Sequence, residues 1–285
     1  MIALNLQTRP ALASDYQSLS NLVFFESHVH RHLDWRSPLD WLGRPFYWVI
    51  EENGRIAAAL ACPTDPRDVA WIRLFVHDAR LPLREAWDML WAVAQDTIRA
   101  AGGATVAAIV MQRWLEPSLR ESGFANLQDI VMLEWNSRPL APSLPVEGVI
   151  IRPMTTADLP AVAETDADAF APLWHNSFES LGRAFGQSLY ATVAEMDGRM
   201  AGYQLSTGHA AGAHLARLAV RKEAQGRRIG AALVWDLMSF LRRRNLARLT
   251  VNTQNDNHAS LALYRRMGFL RTGEQFPVFT FPVGG

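Results

Sequence analysis

Apolar positions along the chain fall into short β-rich runs followed by long stretches at helical spacing, and this order occurs twice. The runs FYWVIEENGRIAAALA and SLYATVAEMDGRMAGYQLS each predict two strands joined by a tight turn, at Asn53-Gly54 and Asp197-Gly198. After them come the strands WIRLFVHDA and HLARLAVRKEA, then apolar-periodic helices over about 83–99 and about 228–243. Each half closes on a helix stopped by glycine before an edge strand, at Gly123-Phe124 and Gly268-Phe269.

The openings correspond as well. TRPALASDYQSL, with Arg9 and Pro10, meets IRPMTTADLPAV, with Arg152 and Pro153, and each extended dipeptide precedes a helix start at Ser14 or Thr156. A shift of about 144 residues brings the whole ordered set into register. The reading is an α+β chain of two tandem copies, over 1–140 and 149–285, joined by a Pro- and Ser-rich linker at 141–148. One large mixed domain is the alternative.

Composition narrows the partners. Nearly half of the 285 residues are apolar, and the 28 basic residues equal the 28 acidic ones, so no bulk field draws the chain to nucleic acid or an anionic membrane. No stretch is long and apolar enough to predict a membrane span, and no leader pattern opens the chain. The single cysteine, Cys62, has no partner for an internal disulfide. A cytoplasmic monomer or homodimer is the expectation.

Local charge stands out in the second half. The apolar run LARLAV ends at Val220, and the polar loop RKEAQGRRIG leads straight into a helix. Such a junction leaves backbone N–H groups unpaired at the positive end of a helix dipole, and Gly226 and Gly230 let a ligand approach closely. Arg221, Lys222, Arg227 and Arg228 add positive charge suited to a polyphosphate. Taken alone, the loop reads equally well as a glycine-punctuated helix start with solvated arginines. Downstream, NDNHASLALYRRMGF sets Asn257, Ser260, Leu263 and Tyr264 at helical spacings.

Together VRKEAQGRRIG and NDNHASLALYRRMGF resemble the cofactor-loop and C-terminal signatures of the GNAT superfamily of acyl-CoA N-acyltransferases. The resemblance runs from about residue 151 to 282, and the internal repeat extends its outline to about residue 5. It implies tandem domains, each a mixed, mostly antiparallel sheet flanked by helices, whose central strands part to admit the pantetheine arm of acetyl-CoA. That arm would pair with Leu218, Ala219 and Val220; the pyrophosphate would rest on the amides of Gln225, Gly226, Arg227, Arg228, Ile229, Gly230 and Ala231. Asn257 and Ser260 would line the arm, and Tyr264 would be the acid that protonates the departing thiolate. The implied reaction is transfer of an acetyl group to a primary amine, on a small molecule or a protein, by direct attack. Arg228 departs from the pattern, since members often have glycine there.

Other roles stay open. Tyr264 also reads as a core aromatic, and Asn257 as an ordinary helix N-cap. Where members often have a strand glutamate as base, this chain offers His214 and Arg217, and His214 reads more simply as a surface histidine. Asp166, Asp168 and His175 fall in the segment where the family builds its acceptor site, although a solvated loop is the plainer reading. In the first half, Pro82 and Ala86 replace Gly226 and Gly230, so no working cofactor site is expected there. The segment with His28, His30, His32, Trp35, Trp41 and Trp48 could line an acceptor pocket; no metal site is expected. A non-catalytic acyl-CoA binding protein is the alternative function.

Overall fold

The computed structural model describes residues 6–136, 146–209 and 212–284, so the expected linker lies outside the described residues up to position 145. The chain forms two compact units: Met1–Leu127 together with Phe276–Gly285, and Gln128–Gln275.

The first half of the chain runs β1 (Leu6–Pro10), α1 (Tyr16–Phe25), β2 (Val29–Arg31), β3 (Tyr47–Glu52), β4 (Arg55–Ala61), β5 (Val69–Trp71), β6 (Leu74–His77), α2 (Leu83–Ala100), β7 (Ala104–Ile109), α3 (Glu116–Glu121) and β8 (Ala125–Asn136). The second runs β9 (Val149–Pro153), α4 (Leu159–Ala169), α5 (Phe178–Gly186), β10 (Tyr190–Met196), β11 (Arg199–His209), β12 (Gly212–Val220), α6 (Ile229–Arg243), β13 (Arg248–Gln254), α7 (His258–Arg266) and β14 (Leu270–Val283). No described helix is long and apolar enough to cross a membrane.

The repeat extends to individual side chains. Arg9 binds Asp15 and Glu51 and donates to the carbonyl of Pro10. Arg152 binds Asp158 and Glu195 and donates to the carbonyl of Pro153. In each case the aspartate also accepts the backbone N–H three residues before it, Leu12 or Thr155, which fixes the turn into the first helix. Both hairpin turns hold two successive residues at positive φ, Asn53 (50°) with Gly54 (80°) and Asp197 (54°) with Gly198 (72°), the geometry that matches strand twist. Gly123 and Gly268, each at φ 87°, end α3 and α7, and Phe124 and Phe269 donate back to Leu119 and Tyr264 at 3.0 Å.

In the first unit β1-β3-β4-β6-β2 form one sheet, and β7 lies between β5 and the last residues of β14. In the second unit the order is β8-β13-β12-β11-β10-β9. A single cut near residue 145 therefore does not reproduce the units, because each takes a strand from the other half. β14 pairs Val278 to Val283 with Ile109 to Ala104, which puts Phe279 and Val283 in the first core beside Trp87, Trp91 and Phe124. β8 pairs Ile130 to Asn136 with Gln254 to Arg248, which puts Val131, Leu133 and Trp135 in the second core beside Leu237, Val251 and Phe269.

Removing one buried aromatic costs about 3–5 kcal/mol, so losing a whole core strand exceeds the roughly 5–15 kcal/mol that holds a typical domain. Residues 1–140 and 149–285 produced separately are expected to show no cooperative thermal transition by circular dichroism, whereas the intact chain does. A cooperative melt from either piece alone would contradict this strand assignment.

Candidate functional site

Three parallel pairs join β12 to β13: Ala213↔Leu249, His214↔Thr250 and Leu215↔Val251. Beyond them the strands part. β12 stays with β11 as far as Gly202↔Val220, and β13 stays with β8 as far as Gln254↔Ile130. The parting begins at a bulge, since the register passes from Ser206↔Leu215 to Leu205↔Arg217 and leaves Ala216 as the extra residue. A bulge sharpens local twist, which turns the far end of β12 away from β13. Gly202 holds that end against β11, because a Cβ there would lie 2.6 Å from the carbonyl oxygen of Ala219. Leu218, Ala219 and Val220 thus keep a main-chain edge facing an open wedge.

The wedge points at the start of α6. Gln225 donates to the carbonyl of Val220, Gly226 takes φ 78°, and Arg228 takes φ 63° immediately before the helix. No side chain caps α6, whereas Ser177 caps α5 and Asn257 caps α7. The helix's first turn closes with the bond from the amide of Ala232 to the carbonyl of Arg228, so the amides of Ile229, Gly230 and Ala231 are available to an anion. Arg227 and Arg228 are exposed beside them. Arg221 instead pairs with Glu164, and the amide of Lys222 is taken by Asp168.

α7 closes the other side. A Cβ on Gly230 would lie 3.4 Å from Leu263 and 3.8 Å from Val220, so the loop, the strand end and α7 meet at one point. Asn257 accepts the amide of Ser260 at 3.1 Å. Tyr264 is buried against Phe269, and burial pushes its hydroxyl well above the usual tyrosine range. That hydroxyl has no hydrogen-bond partner among the described residues.

The opposite face of the parting is polar and tightly bound. Asp166 on α4 is fully buried and accepts two bonds from Arg217, at 2.7 and 2.8 Å, one from Tyr203 at 2.5 Å and one from the amide of Asn176 at 2.8 Å. Burial alone would lower the Arg217 pKa, but Asp166 and Tyr203 outweigh it and hold the guanidinium charged. Arg217 also lies 3.5 Å over Phe170 and donates to the carbonyl of Trp174, which fixes the α4–α5 connection against β12. His175 bonds the carbonyl of Phe170. His214 is held between Thr250 Oγ1 at 2.9 Å and Asn252 Oδ1 at 3.0 Å, and burial lowers its pKa. Both ring nitrogens are thus engaged, and Thr250 Oγ1 also donates to the carbonyl of Ala213 at 3.4 Å.

The strand edge opened by a bulge and the uncapped, glycine-flanked helix start lie within the stretch that a family profile matches. The profile of the Acetyltransferase (GNAT) family matches residues 157–269. An uncharacterized N-acetyltransferase of Methanocaldococcus jannaschii is 33% identical over 124 residues, 42% of this chain and 78% of that protein. The chain belongs to the GNAT acetyltransferase family. Two solved structures share the fold over nearly its full length. A GCN5-related N-acetyltransferase from Sphaerobacter thermophilus has TM-score 0.65 at 17% identity, covering 98% of this chain and 96% of that one. A tandem GNAT protein from the clavulanic acid biosynthesis pathway has TM-score 0.66 at 19% identity, covering 99% of each. The fold is thus a tandem GNAT arrangement of mixed, mostly antiparallel sheets with flanking helices.

Against this GNAT frame, the structure draws the predicted loop residues, β12 end and α7 residues to one wedge. It corrects two plainer readings: Asp166 is the centre of a buried ion pair rather than part of a solvated loop, and His214 bridges two strands rather than standing on the surface. Gly202, Tyr203 and Trp174 were not anticipated. A signal for the ion pair existed in Arg217, a charge inside the apolar run LARLAV, which buries well only with a carboxylate partner.

Two substitutions separate these effects. Asp166→Asn leaves Arg217 buried without its counter-charge and is expected to lower unfolding free energy by about 3–5 kcal/mol in urea titrations. Arg228→Gly relieves a left-handed backbone and is expected to raise it by about 1 kcal/mol.

Proposed function

We propose that the chain is an acetyl-CoA-dependent N-acetyltransferase that modifies a primary amine, with one working site in the second unit. The observation that carries this is the parting of β12 from β13 toward the uncapped start of α6. In this reading the pantetheine arm pairs with Leu218 to Val220, and Gln225 to Ala231 receive the pyrophosphate, aided by Arg227 and Arg228. Asn257 and Ser260 border the arm. The amine attacks the thioester directly, free amides of the β12 edge meet the developing oxyanion, the Tyr264 hydroxyl gives its proton to the thiolate as it leaves, and the proton lost by the nitrogen passes through solvent to restore the phenol. Burial raises the Tyr264 pKa, so its proton leaves only as negative charge builds on the sulfur.

A second reading, acyl-CoA binding without turnover, draws on His214. With its two ring nitrogens bonded to Thr250 and Asn252, the imidazole is not free to take a proton from an amine.

Calorimetric titration with acetyl-CoA is expected to give one site per chain, weakened about tenfold or more by Arg228→Glu. In assays over a panel of primary amines, Tyr264→Phe is expected to bind acetyl-CoA normally but lose about 10²-fold in kcat. Absence of wild-type binding would overturn the proposal, and binding with no turnover on any amine would favour the second reading.

A further inference from the structure

The first unit repeats the parting strands. β5 and β7 make three parallel pairs, Val69↔Thr105, Ala70↔Val106 and Trp71↔Ala107, each displaced by 144 residues from a β12–β13 pair. The strand then continues as β6, whose Leu74, Phe75 and Val76 correspond to Leu218, Ala219 and Val220. One edge of β6 pairs with β4, as β12 does with β11. The other edge, open in the second unit, is occupied: β2 pairs Val29↔Val76, His30↔Phe75 and Arg31↔Leu74.

Resting on the acyl-CoA reading above, we infer that the histidine-rich segment around β2 is a built-in occupant of the first unit's cofactor wedge, making with β6 the main-chain bonds that a pantetheine arm makes with β12. The segment is held from several sides. His30 is buried and its Nε2 donates to the carbonyl of Ile72 at 3.1 Å. Burial lowers its pKa to about 4, so it stays neutral near pH 7. Arg31 donates to the carbonyl of Val23 at 2.8 Å, and the amide of His32 donates to the carbonyl of Arg73 at 3.1 Å. His32 stacks on Trp71, and the next residues are tied down by the buried pair Asp34–Arg73 at 2.8 Å. His28 stacks on His77 and meets Trp114 edge-on. These contacts account for the alternating histidines: among the described residues no cluster is placed to hold a metal, and each of the three packs or bonds against the wedge.

The loop beyond β6 has changed in the same direction. Pro82 stands where Gly226 does and has no amide to offer, and Glu85 places a carboxylate in the first turn of α2, opposing an anion. Asp78, at the position of Lys222, pairs with Arg55 and Arg80, which hold its carboxyl well below the usual range. A ligand entering here would have to displace β2 and would meet Glu85 and Pro82 in place of free amides.

Hydrogen–deuterium exchange on the full chain, with and without acetyl-CoA at about a hundred times Kd, distinguishes the two wedges. Amides over 216–231 are expected to exchange up to about a hundredfold more slowly with ligand. Amides of 29–31 and 74–76 are expected to be protected beforehand and unchanged by it. Slowing at 74–76, or faster exchange at 29–31 on adding acetyl-CoA, would overturn the inference while leaving the cofactor reading intact. No slowing anywhere would overturn the cofactor reading, and the inference with it.

Discussion

Main-chain hydrogen bonding sets the terms on which the rest of this fold depends. A strand inside a sheet has two edges of N–H and C=O groups, and an edge that leaves its neighbour must find another partner or remain in water. β12 gives up β13 after three residue pairs because a bulge at Ala216 and the close approach allowed by Gly202 commit it to β11, while β13 remains committed to β8. The open edge between them belongs to the sheet itself. α6 and α7 then converge on it, where Gly230 meets Leu263 and Val220.

The face across from α6 is held by charge. Asp166 and Arg217 bring opposite charges into the interior and satisfy each other together with Tyr203, the amide of Asn176 and the carbonyl of Trp174. Such a network is favourable only when complete, and it therefore specifies one position for the α4–α5 connection relative to β12. In the first unit Arg73, the counterpart of Arg217, again finds a buried aspartate, but in a different element, Asp34. The arginine has stayed in place while its partner has moved.

Periodicity, turn dipeptides and glycine stops made most of the architecture legible in the sequence. The two hairpins, both long helices and both Gly-Phe stops lie where local chemistry places them, since each depends on residues adjacent in the chain. The loop from Gln225 to Gly230 was legible for the same reason. Long-range facts were not. Nothing local in Asp166 names Arg217, 51 residues away, as its partner. The apolar alternation of β8 and β14 suits either core equally, so their exchange was invisible. β2 is three residues long, too short for an alternation to register, and its histidines and the nearby tryptophans suggested an acceptor-pocket lining instead of a strand edge.

That exchange gives the chain an unusual order of completion during synthesis. Residues through Leu127 leave the ribosome ahead of the second unit, yet their core waits for Phe279 and Val283, which follow it. At typical elongation rates that wait lasts roughly 7–30 s. In the interval β7 has β5 on one side and an empty place on the other, with Trp91 and Phe124 lacking the Phe281 ring they later meet. The second unit, whose β8 has already emerged ahead of it, is complete by Gln275. The unit begun first is thus finished last, and it carries an exposed strand edge and an unfilled core while the second unit is being made.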